Sequence, residues 1–234
     1  MASLKDLTIF VFEASWSNDF TEKNGYLPQA SLLPYIKAFA ENFGCTVVYR
    51  QFRTEDDLKT WIPRIKNLKA GRRILWISAH GKLLKQYNEV TLCTTSSDRR
   101  QRINYIRPGK MREWIKGAGK IDGVIVDLCD FGKNEAEKWL SDNVMWGLTY
   151  GISISWTESV FFGLKTIEWL YDKAKHPQSG KNAFNSFKNG ILTGGYRKKE
   201  DRFSLKGFGE TLHAMFSYKV KGSKYWKVTN VRDL

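Results

Sequence analysis

The chain has 234 residues, of which 42% are hydrophobic and 14% aromatic, and this size suits one α/β domain with a substantial core. No run of about 18 uncharged apolar residues occurs, so we expect no membrane-spanning helix, and residues 1–6 lead into a strand-like segment rather than a signal-peptide core. The formal net charge of +14 predicts attraction to polyanions and acidic proteins without naming a partner.

The first part of the chain alternates strand and helix patterns. Residues 7–13 form a continuous apolar run typical of a buried strand, and residues 45–52 form a second run rich in β-branched residues. Between them, apolar residues at helical spacing over 31–42 stop before Gly44, a residue that favours a helix C-terminus. Residues 54–68 open with Thr-Glu-Asp-Asp, which predicts a capped helix.

The middle of the chain continues this alternation. Its predicted elements are a strand over 73–80, an inserted hairpin near 89–94, a strand over 123–129, a helix over 134–140, a strand over 146–154 and a helix over 158–175. Strands that alternate with helices predict an α/β fold in which a mostly parallel central sheet carries helices on both faces.

The pattern changes from about Gly180. A short helix is predicted over 183–191, and the tail alternates as short strands that end in a hairpin turning at Lys221-Gly222-Ser223. No repeat or linker separates the tail from the rest. We therefore expect one domain, with residues 1–180 as its main part and 181–234 as an extension of the same domain.

Cysteine usage points to a reducing compartment. The chain has three cysteines, Cys45, Cys93 and Cys129, and no CxxC pair. Such a sparse, odd set favours neither a disulfide framework nor a zinc cluster. We therefore expect a cytoplasmic protein.

A histidine and a cysteine each end a predicted buried strand. His80 closes one apolar run, and Cys129 closes another 49 positions later. The carboxyl ends of neighbouring parallel strands meet at one edge of a sheet, where such folds place their sites. Either residue alone is more often structural, as a core cysteine or a loop-capping histidine. Together they predict a nucleophile and its base, with the N–H groups of Gly81 and Cys129 as the oxyanion hole.

Asp127 lies two positions before Cys129 and therefore points to the same face of the strand. A carboxylate beside a nucleophilic thiol raises the pKa of the thiol unless a cation occupies that carboxylate. We therefore predict that Asp127 lines a pocket for an Arg or Lys side chain next to the scissile bond.

A basic segment over 99–120 supports a second hypothesis. It holds eight Arg and Lys residues against a lone Glu113, with Tyr105 and Trp114 between them. Basic residues interleaved with aromatic ones can hold nucleic acid, but they are also typical of a solvated helix face. Nucleic-acid binding therefore stays open and is not favoured.

The motifs Ile77-Ser78-Ala79-His80-Gly81 and Val126-Asp127-Leu128-Cys129 resemble those of the caspase-like cysteine peptidases, which include caspases, metacaspases, clostripain-like enzymes and bacterial CHAT domains. In that group a strand ending in His-Gly is followed about 50 residues later by a strand ending in the nucleophilic Cys. The Asp-x-Cys pattern is similar to the metacaspase and clostripain-like branch, whose Asp contacts a basic P1 side chain. Segments 12–16, 150–151 and 156–159 are similar to small bacterial CHAT-like proteins, so the resemblance covers roughly residues 7–175.

The resemblance implies a caspase-like three-layer sandwich and a cysteine endopeptidase that cleaves after Arg or Lys. It implies no metal or organic cofactor, a protein or peptide substrate, an activating protein partner and a role in bacterial antiviral defence. Glu13 and Glu158 follow strand ends at the same edge, where either would orient His80, bind a basic substrate group or pair with an Arg. Trp156 would wall the substrate groove or pack in the core.

Two alternatives remain. Asp130 and Phe131 follow the cysteine where many relatives carry a small residue, which narrows the groove or marks a degenerate enzyme. The chain would then be an inactive binding module whose basic surface holds an acidic protein or nucleic acid. A nucleic-acid enzyme is less favoured, because neither a Gly-rich phosphate loop nor a convincing carboxylate metal cluster is present in the sequence.

Overall fold

The computed structural model describes residues 4–14, 31–95, 103–128, 131, 135–151, 156–171, 176–193, 213–220, 222–223 and 225–234. Cys129 and Asp130 lie outside the described residues, as do the tail strands predicted around Gly207 and Gly209. Among the described helices, none is long and apolar enough to cross a membrane.

The strands are β1 (Leu7–Ala14), β2 (Thr46–Phe52), β3 (Arg72–Ser78), β4 (Gly81–Leu84), β5 (Glu89–Thr95), β6 (Ile103–Ile106), β7 (Ile121–Asp127), β8 (Val144–Tyr150), β9 (Ala214–Lys219) and β10 (Trp226–Asn230). In the described chain, seven of them form the central sheet in the order β10-β9-β8-β7-β3-β1-β2. Strands β1, β2, β3, β7 and β8 run parallel, and β9 and β10 continue the sheet as an antiparallel hairpin.

The helices are α1 (Leu33–Phe43), α2 (Glu55–Trp61), α3 (Pro108–Gly117), α4 (Glu135–Trp139), α5 (Trp156–Tyr171) and α6 (Gly180–Thr193), with 3₁₀ turns at Pro63–Asn67 and Val231–Asp233. Helices α1, α5 and α6 bury one face of the sheet, and α2, α3, α4 and the first 3₁₀ turn bury the other. Every residue of β7 is buried because both faces are covered. The predicted α/β fold with a mostly parallel sheet is confirmed.

Local signals set the ends of two helices. Helix α1 stops at Gly44, which adopts a φ of 72° and donates its N–H to the carbonyl of Ala40. Helix α2 begins with a capping box between Thr54 and Asp57, as the sequence predicts. The prediction of one helix to residue 68 is wrong beyond Trp61, because Pro63 has no N–H to donate and the chain continues as a 3₁₀ turn.

Two hairpins agree with the sequence. The hairpin predicted near residues 89–94 is present: these residues form β5, which pairs antiparallel with β4. Strand β5 also pairs antiparallel with β6, which gives a second sheet of three described strands. The terminal hairpin is formed by β9 and β10, and Gly222 in its turn adopts a φ of 83°. The tail therefore extends the central sheet.

A glycine in β7 is required by close packing, which gives a test of the fold. A Cβ at Gly123 would lie 2.0 Å from Cζ2 of Trp146, whose indole N–H donates to the buried Tyr171 hydroxyl. We expect Gly123→Ala to lower the free energy of unfolding by about 1–3 kcal/mol, because the overpacked ring cannot move away freely. Thermal unfolding followed by circular dichroism measures this change.

The matched control is Gly109→Ala in α3, where a Cβ meets no heavy atom within 4 Å. We expect its free energy of unfolding to stay within about 0.5 kcal/mol of the wild type. Equal melting temperatures for the two variants would contradict the packing of Trp146 over β7.

Candidate active site

The two predicted catalytic strands are direct neighbours in the sheet. Strands β3 and β7 pair in parallel with Ser78 opposite Asp127, and the N–H of Ala79 donates to the carbonyl of Asp127 at 3.1 Å. His80 and Cys129 each follow this matched pair by two residues. Leu128 is the last described residue before Cys129, so contact between the imidazole ring and the thiol stays a prediction.

A polar row lies at this edge of the sheet. Ser78 pairs with Asp127 on one side and with Glu13 of β1 on the other. The residues two positions earlier on the three strands are buried core residues: Val11, Trp76 and Ile125. Because residues two apart on a strand share a face, the polar row continues the surface that α1 and α5 cover. At the carboxyl edge of this face, two carboxyl groups and a hydroxyl therefore follow directly after the apolar core side chains.

Asp127 is held by two serines. Its side chain is 5% exposed, and its Oδ2 accepts hydrogen bonds from the hydroxyls of Ser78 and Ser159, each at 2.9 Å. Ser159 lies in the first turn of α5, and its carbonyl accepts a hydrogen bond from the Tyr150 hydroxyl at 3.0 Å. Burial raises the pKa of Asp127 to about 7, and the charge of Glu13 acts in the same direction against the two hydroxyls.

Glu13 connects the start of α1 to the sheet edge. Its side chain is 4% exposed, and it accepts hydrogen bonds from the Ser31 hydroxyl at 2.9 Å, the N–H of Leu32 at 3.0 Å and the Tyr49 hydroxyl. Burial and this carboxylate raise the pKa of Tyr49 to about 12. The described donors to Glu13 are two hydroxyls and a backbone N–H. Among the described residues, these contacts therefore show no pairing of Glu13 with an Arg, which was one of its predicted roles.

The other two residues predicted to bind substrate lie in the first turn of α5. Trp156 is the first residue of this helix, and its side chain is outside the described part of the chain. Glu158 is half-buried and precedes Ser159, the residue that contacts Asp127. The structure thus places the backbone of this turn beside the polar row, and substrate contact by either residue stays a prediction.

His80 is half-buried between the two sheets. Its carbonyl accepts a hydrogen bond from the N–H of Cys93 at 2.9 Å, which joins the end of β3 to the second sheet. Burial lowers the pKa of its imidazole from the ordinary value of 6.5, so the neutral ring predominates at pH 7. A neutral imidazole can accept a proton from a thiol. Gly81 opens β4 opposite Leu92, and its oxyanion role stays a prediction.

The environment of the other thiols is unfavourable to catalysis. Burial raises the pKa of Cys45 to about 11, which leaves almost no thiolate at neutral pH. Cys93 is buried in β5. These two cysteines therefore serve as internal controls for reactivity at Cys129.

The expectation that Phe131 narrows the groove is wrong. Phe131 is fully buried in the core on the α4 side of the sheet, where its ring meets Trp139 edge-on at 5.4 Å between centroids. Its N–H donates to the carbonyl of Tyr150 at 3.1 Å. A large apolar side chain after the cysteine is thus absorbed by the core.

Sequence reasoning missed Ser78 and Ser159 as parts of the site. Ser78 had a detectable signal, because it stands two positions before His80 as Asp127 stands two before Cys129. Ser159 had none, because its approach to Asp127 depends on how α5 packs on the sheet.

The basic segment is partly neutralised where it is described. Arg107 pairs with Glu89 at 2.9 Å, and Lys110 pairs with Glu55 at 2.6 Å. These pairs leave less free positive charge for a polyanion than the sequence suggests. Within the described ranges, no cluster of three His, Cys, Asp or Glu side chains that could hold a metal ion is found.

The fold is similar to that of three solved structures. A secreted C11 cysteine protease from Bacteroides thetaiotaomicron, in complex with an irreversible peptide inhibitor, matches with a TM-score of 0.51 and 8% identity over 91% of this chain and 66% of that one. The fold is caspase-like. The Drosophila initiator caspase Dronc (TM-score 0.44, 8% identity, 86% of this chain and 78% of that one) and Caspase-1 from Spodoptera frugiperda (0.45, 9%, 88% and 83%) also match.

The caspase-like fold expected from the motifs is therefore confirmed, on the first of these likenesses. This chain spans 66% of the length of the Bacteroides protease. No protein-family model matches the sequence, and no curated protein matches it. The finer resemblance to CHAT-like proteins stays a prediction.

Proposed function

We propose that this chain is a cysteine endopeptidase in which Cys129 is the nucleophile and His80 the general base. His80 takes the thiol proton as the sulfur attacks the scissile carbonyl, and it then gives that proton to the leaving amine. Water then attacks the acyl-enzyme while His80 accepts its proton, the C–S bond breaks to release the new carboxylic acid, and His80 returns the proton to the sulfur of Cys129. The N–H groups of Gly81 and Cys129 hold the oxyanion.

The register of β3 and β7 is the observation that carries this proposal. Ser78 lies opposite Asp127, so His80 and Cys129 follow equal lengths of chain beyond one matched pair. The lowered pKa of His80 leaves a base at neutral pH. The caspase-like fold supports the same reaction, because the similar Bacteroides protein is a cysteine protease.

We propose that the carboxyl of Asp127 selects a basic P1 side chain. Its two described donors, Ser78 and Ser159, are neutral hydroxyls on one oxygen, and burial holds the pKa of the carboxyl near 7. A guanidinium or ammonium group brought by the substrate would favour the ionised form and lower that pKa. Glu13, two strands away in the same polar row, adds negative potential. The site is therefore suited to a cation.

We also propose a cytoplasmic location, a role in bacterial defence signalling and control by an activating protein partner. These proposals rest on the cysteine usage and on the resemblance to small CHAT-like proteins. We do not favour the inactive binding module, because β3 and β7 are neighbours and His80 and Cys129 both follow the matched pair of Ser78 and Asp127.

The proposal predicts selective labelling of one thiol. A peptidyl acyloxymethyl ketone with Arg at P1 is expected to form one adduct per chain, at Cys129, because only this cysteine follows a strand next to that of the base. Mass spectrometry of the digested protein locates the adduct. Alkylation of Cys45 or Cys93 at the same rate as Cys129 would show that no thiol is activated.

The matched control is the same probe with a neutral citrulline at P1, which keeps the shape of arginine without its charge. We expect slower labelling of the same cysteine, because Asp127 then lacks its cation. Equal labelling rates with the two probes would support Cys129 as the nucleophile and would contradict the proposed preference for a basic P1 side chain.

A further inference from the structure

A basic cavity lies at the opposite edge of the sheet from the candidate active site. Its volume is about 680 Å³, and it lies where β1, β2 and β3 begin. The polar residues that matter here are Lys5, Thr8, Thr46, Lys66, Lys69 and Arg73. Strand β1 has eight residues at about 3.3 Å each, so roughly 20 Å of strand separates this cavity from the candidate active site.

The floor of the cavity is a polar row in an otherwise apolar face. Thr8 pairs with Thr46 on one side and with Arg73 on the other. The next row on the same face consists of apolar residues: Phe10, Val48 and Leu75. The sheet therefore changes from core packing to hydroxyl and guanidinium donors within one step of the strand alternation.

The charge in the cavity is positive and largely uncompensated. Lys5, Lys66 and Lys69 are exposed, and no carboxylate in the described chain forms an ion pair with them. The one acidic residue in the lining, Asp6, lies 3.7 Å from Arg72 Nε and 3.8 Å from His176 Nε2. An anion entering the cavity meets lysines that hold no partner charge.

Arg73 adds a donor at the floor. One end of its guanidinium donates to the carbonyl of Leu68 at 3.0 Å. Its Nε is buried with no hydrogen-bond partner among the described residues. The Arg73 guanidinium therefore adds positive charge at the floor, while its buried Nε is not itself open to a ligand.

The wall of the cavity is held in place without a ligand. The N–H of Arg72 donates to the carbonyl of Asp6 at 2.8 Å, which ties the loop before β3 to the start of β1. A Cβ at Gly71 would lie 3.1 Å from both Cβ and the carbonyl oxygen of Asp6, so this close approach favours glycine. These contacts hold the loop before β3 against the start of β1.

We propose that this cavity binds a phosphate-bearing small molecule of about nucleotide size. Lysine and arginine are the side chains that hold phosphate groups, and several of them together suit a ligand with more than one charge. The volume falls within the range of about 300–1,000 Å³ that small-molecule sites occupy. Leu68 and Ala70 in the lining offer an apolar surface for the organic part of the ligand.

Calorimetric titration tests the site, with ATP and inorganic tripolyphosphate as probes at low salt and without divalent ions. We expect the full chain to bind both. The double variant Lys66→Glu/Lys69→Glu should bind each at least about tenfold more weakly, because two charged donors are lost. The matched control, Lys181→Glu/Lys188→Glu on exposed positions of α6, has the same net charge and should bind within about twofold of the wild type.

The outcomes separate the ligand sources. Tighter binding of ATP than of tripolyphosphate assigns a role to the organic part, and equal binding assigns the site to the phosphate chain. Absence of binding by both probes overturns the proposal. Equal weakening in both double variants also overturns it, because general charge attraction then accounts for the binding. Thermal unfolding of each variant verifies that the fold is intact.

Discussion

Replacing Cys129 by alanine is expected to abolish cleavage of peptides with Arg or Lys at P1. Loss of the nucleophile in a catalytic unit costs on the order of 10⁶-fold in kcat, because no other group can form the acyl-enzyme. His80→Ala should cost about 10²–10⁴-fold, which is the range for a general base. Release of a fluorophore from Arg-P1 peptides measures both losses.

The control variants for this prediction are Cys45→Ala and Cys93→Ala. Cys45 directly precedes β2 at the opposite edge of the sheet, and burial raises the pKa of its thiol to about 11. Cys93 donates its backbone N–H to the carbonyl of His80, and alanine keeps this hydrogen bond. We expect each control to keep cleavage within about threefold of the wild type, provided that it folds. Cleavage by Cys129→Ala at the wild-type rate would contradict the role of Cys129 as the nucleophile, and absence of cleavage by the wild type would favour the alternative of an inactive binding module.

Asp127→Asn is expected to remove the preference for a basic P1 side chain. Breaking one partner of a buried charge pair costs about 3–5 kcal/mol, which is roughly 10²–10⁴-fold in kcat/KM for an Arg-P1 peptide. The matching citrulline-P1 peptide should change only a few-fold, because it makes no charge pair. The ratio of the two values of kcat/KM is the measurement.

The pH dependence of this preference has a defined sign. Burial raises the pKa of Asp127 from the ordinary value of 3.8 to about 7, so the carboxylate that binds a cation forms as the pH rises through about 7. We expect kcat/KM for the Arg-P1 peptide to rise over that interval and Asp127→Asn to lose the rise. His80 contributes below pH 6.5, because burial lowers the pKa of its imidazole. The two groups are therefore separable in one profile.

Asp122→Asn is the matched control, because Asp122 lies on the same strand with the same 5% exposure but at the amino end. There it accepts a hydrogen bond from the N–H of Arg73 at 2.8 Å and cannot reach the candidate active site. Loss of P1 preference in this control, or its retention in Asp127→Asn, would contradict the assignment of the pocket.

Stability provides a check that Asp127→Asn is folded. In the wild type the folded chain holds the Asp127 proton up to about pH 7 and the unfolded chain loses it near 3.8, so the free energy of unfolding falls as the pH rises between these values. Each pH unit of pKa difference is worth about 1.4 kcal/mol. Asp127→Asn has no carboxyl to titrate at this position, so its free energy of unfolding does not fall in this way. We therefore expect the variant to be more stable than the wild type at pH 8 and similarly stable at pH 4.

Most of the fold was predictable because its signals are local. The apolar runs of β1, β3 and β7 identify strands buried on both faces, and Gly44 and Thr54 mark helix ends through their own backbone and side-chain preferences. The end of α2 was misplaced because the helical pattern outweighed Pro63, although proline breaks the hydrogen-bond ladder whatever pattern surrounds it.

The candidate site was predictable only in part. The positions of His80 and Cys129 at strand ends follow from the apolar runs before them, and the period of two along a strand places Asp127 on the face of Cys129. Glu13 was placed at the correct edge, but its donors just before α1 and on β2 were not foreseen. The burial of Phe131 was also missed, because a local pattern does not show on which side of the sheet a loop residue packs.

Local patterns were thus sufficient for most strands and helices and for the two strand ends that hold the candidate catalytic pair, because each depends on neighbours in the chain. Strand β6 and helix α3, within the basic segment, were not predicted. The folded chain was needed for the match of Ser78 with Asp127, the approach of Ser159 from α5 and the basic cavity at the far edge. These features join residues distant in sequence, and their geometry is determined by strand register and helix packing rather than by local preference.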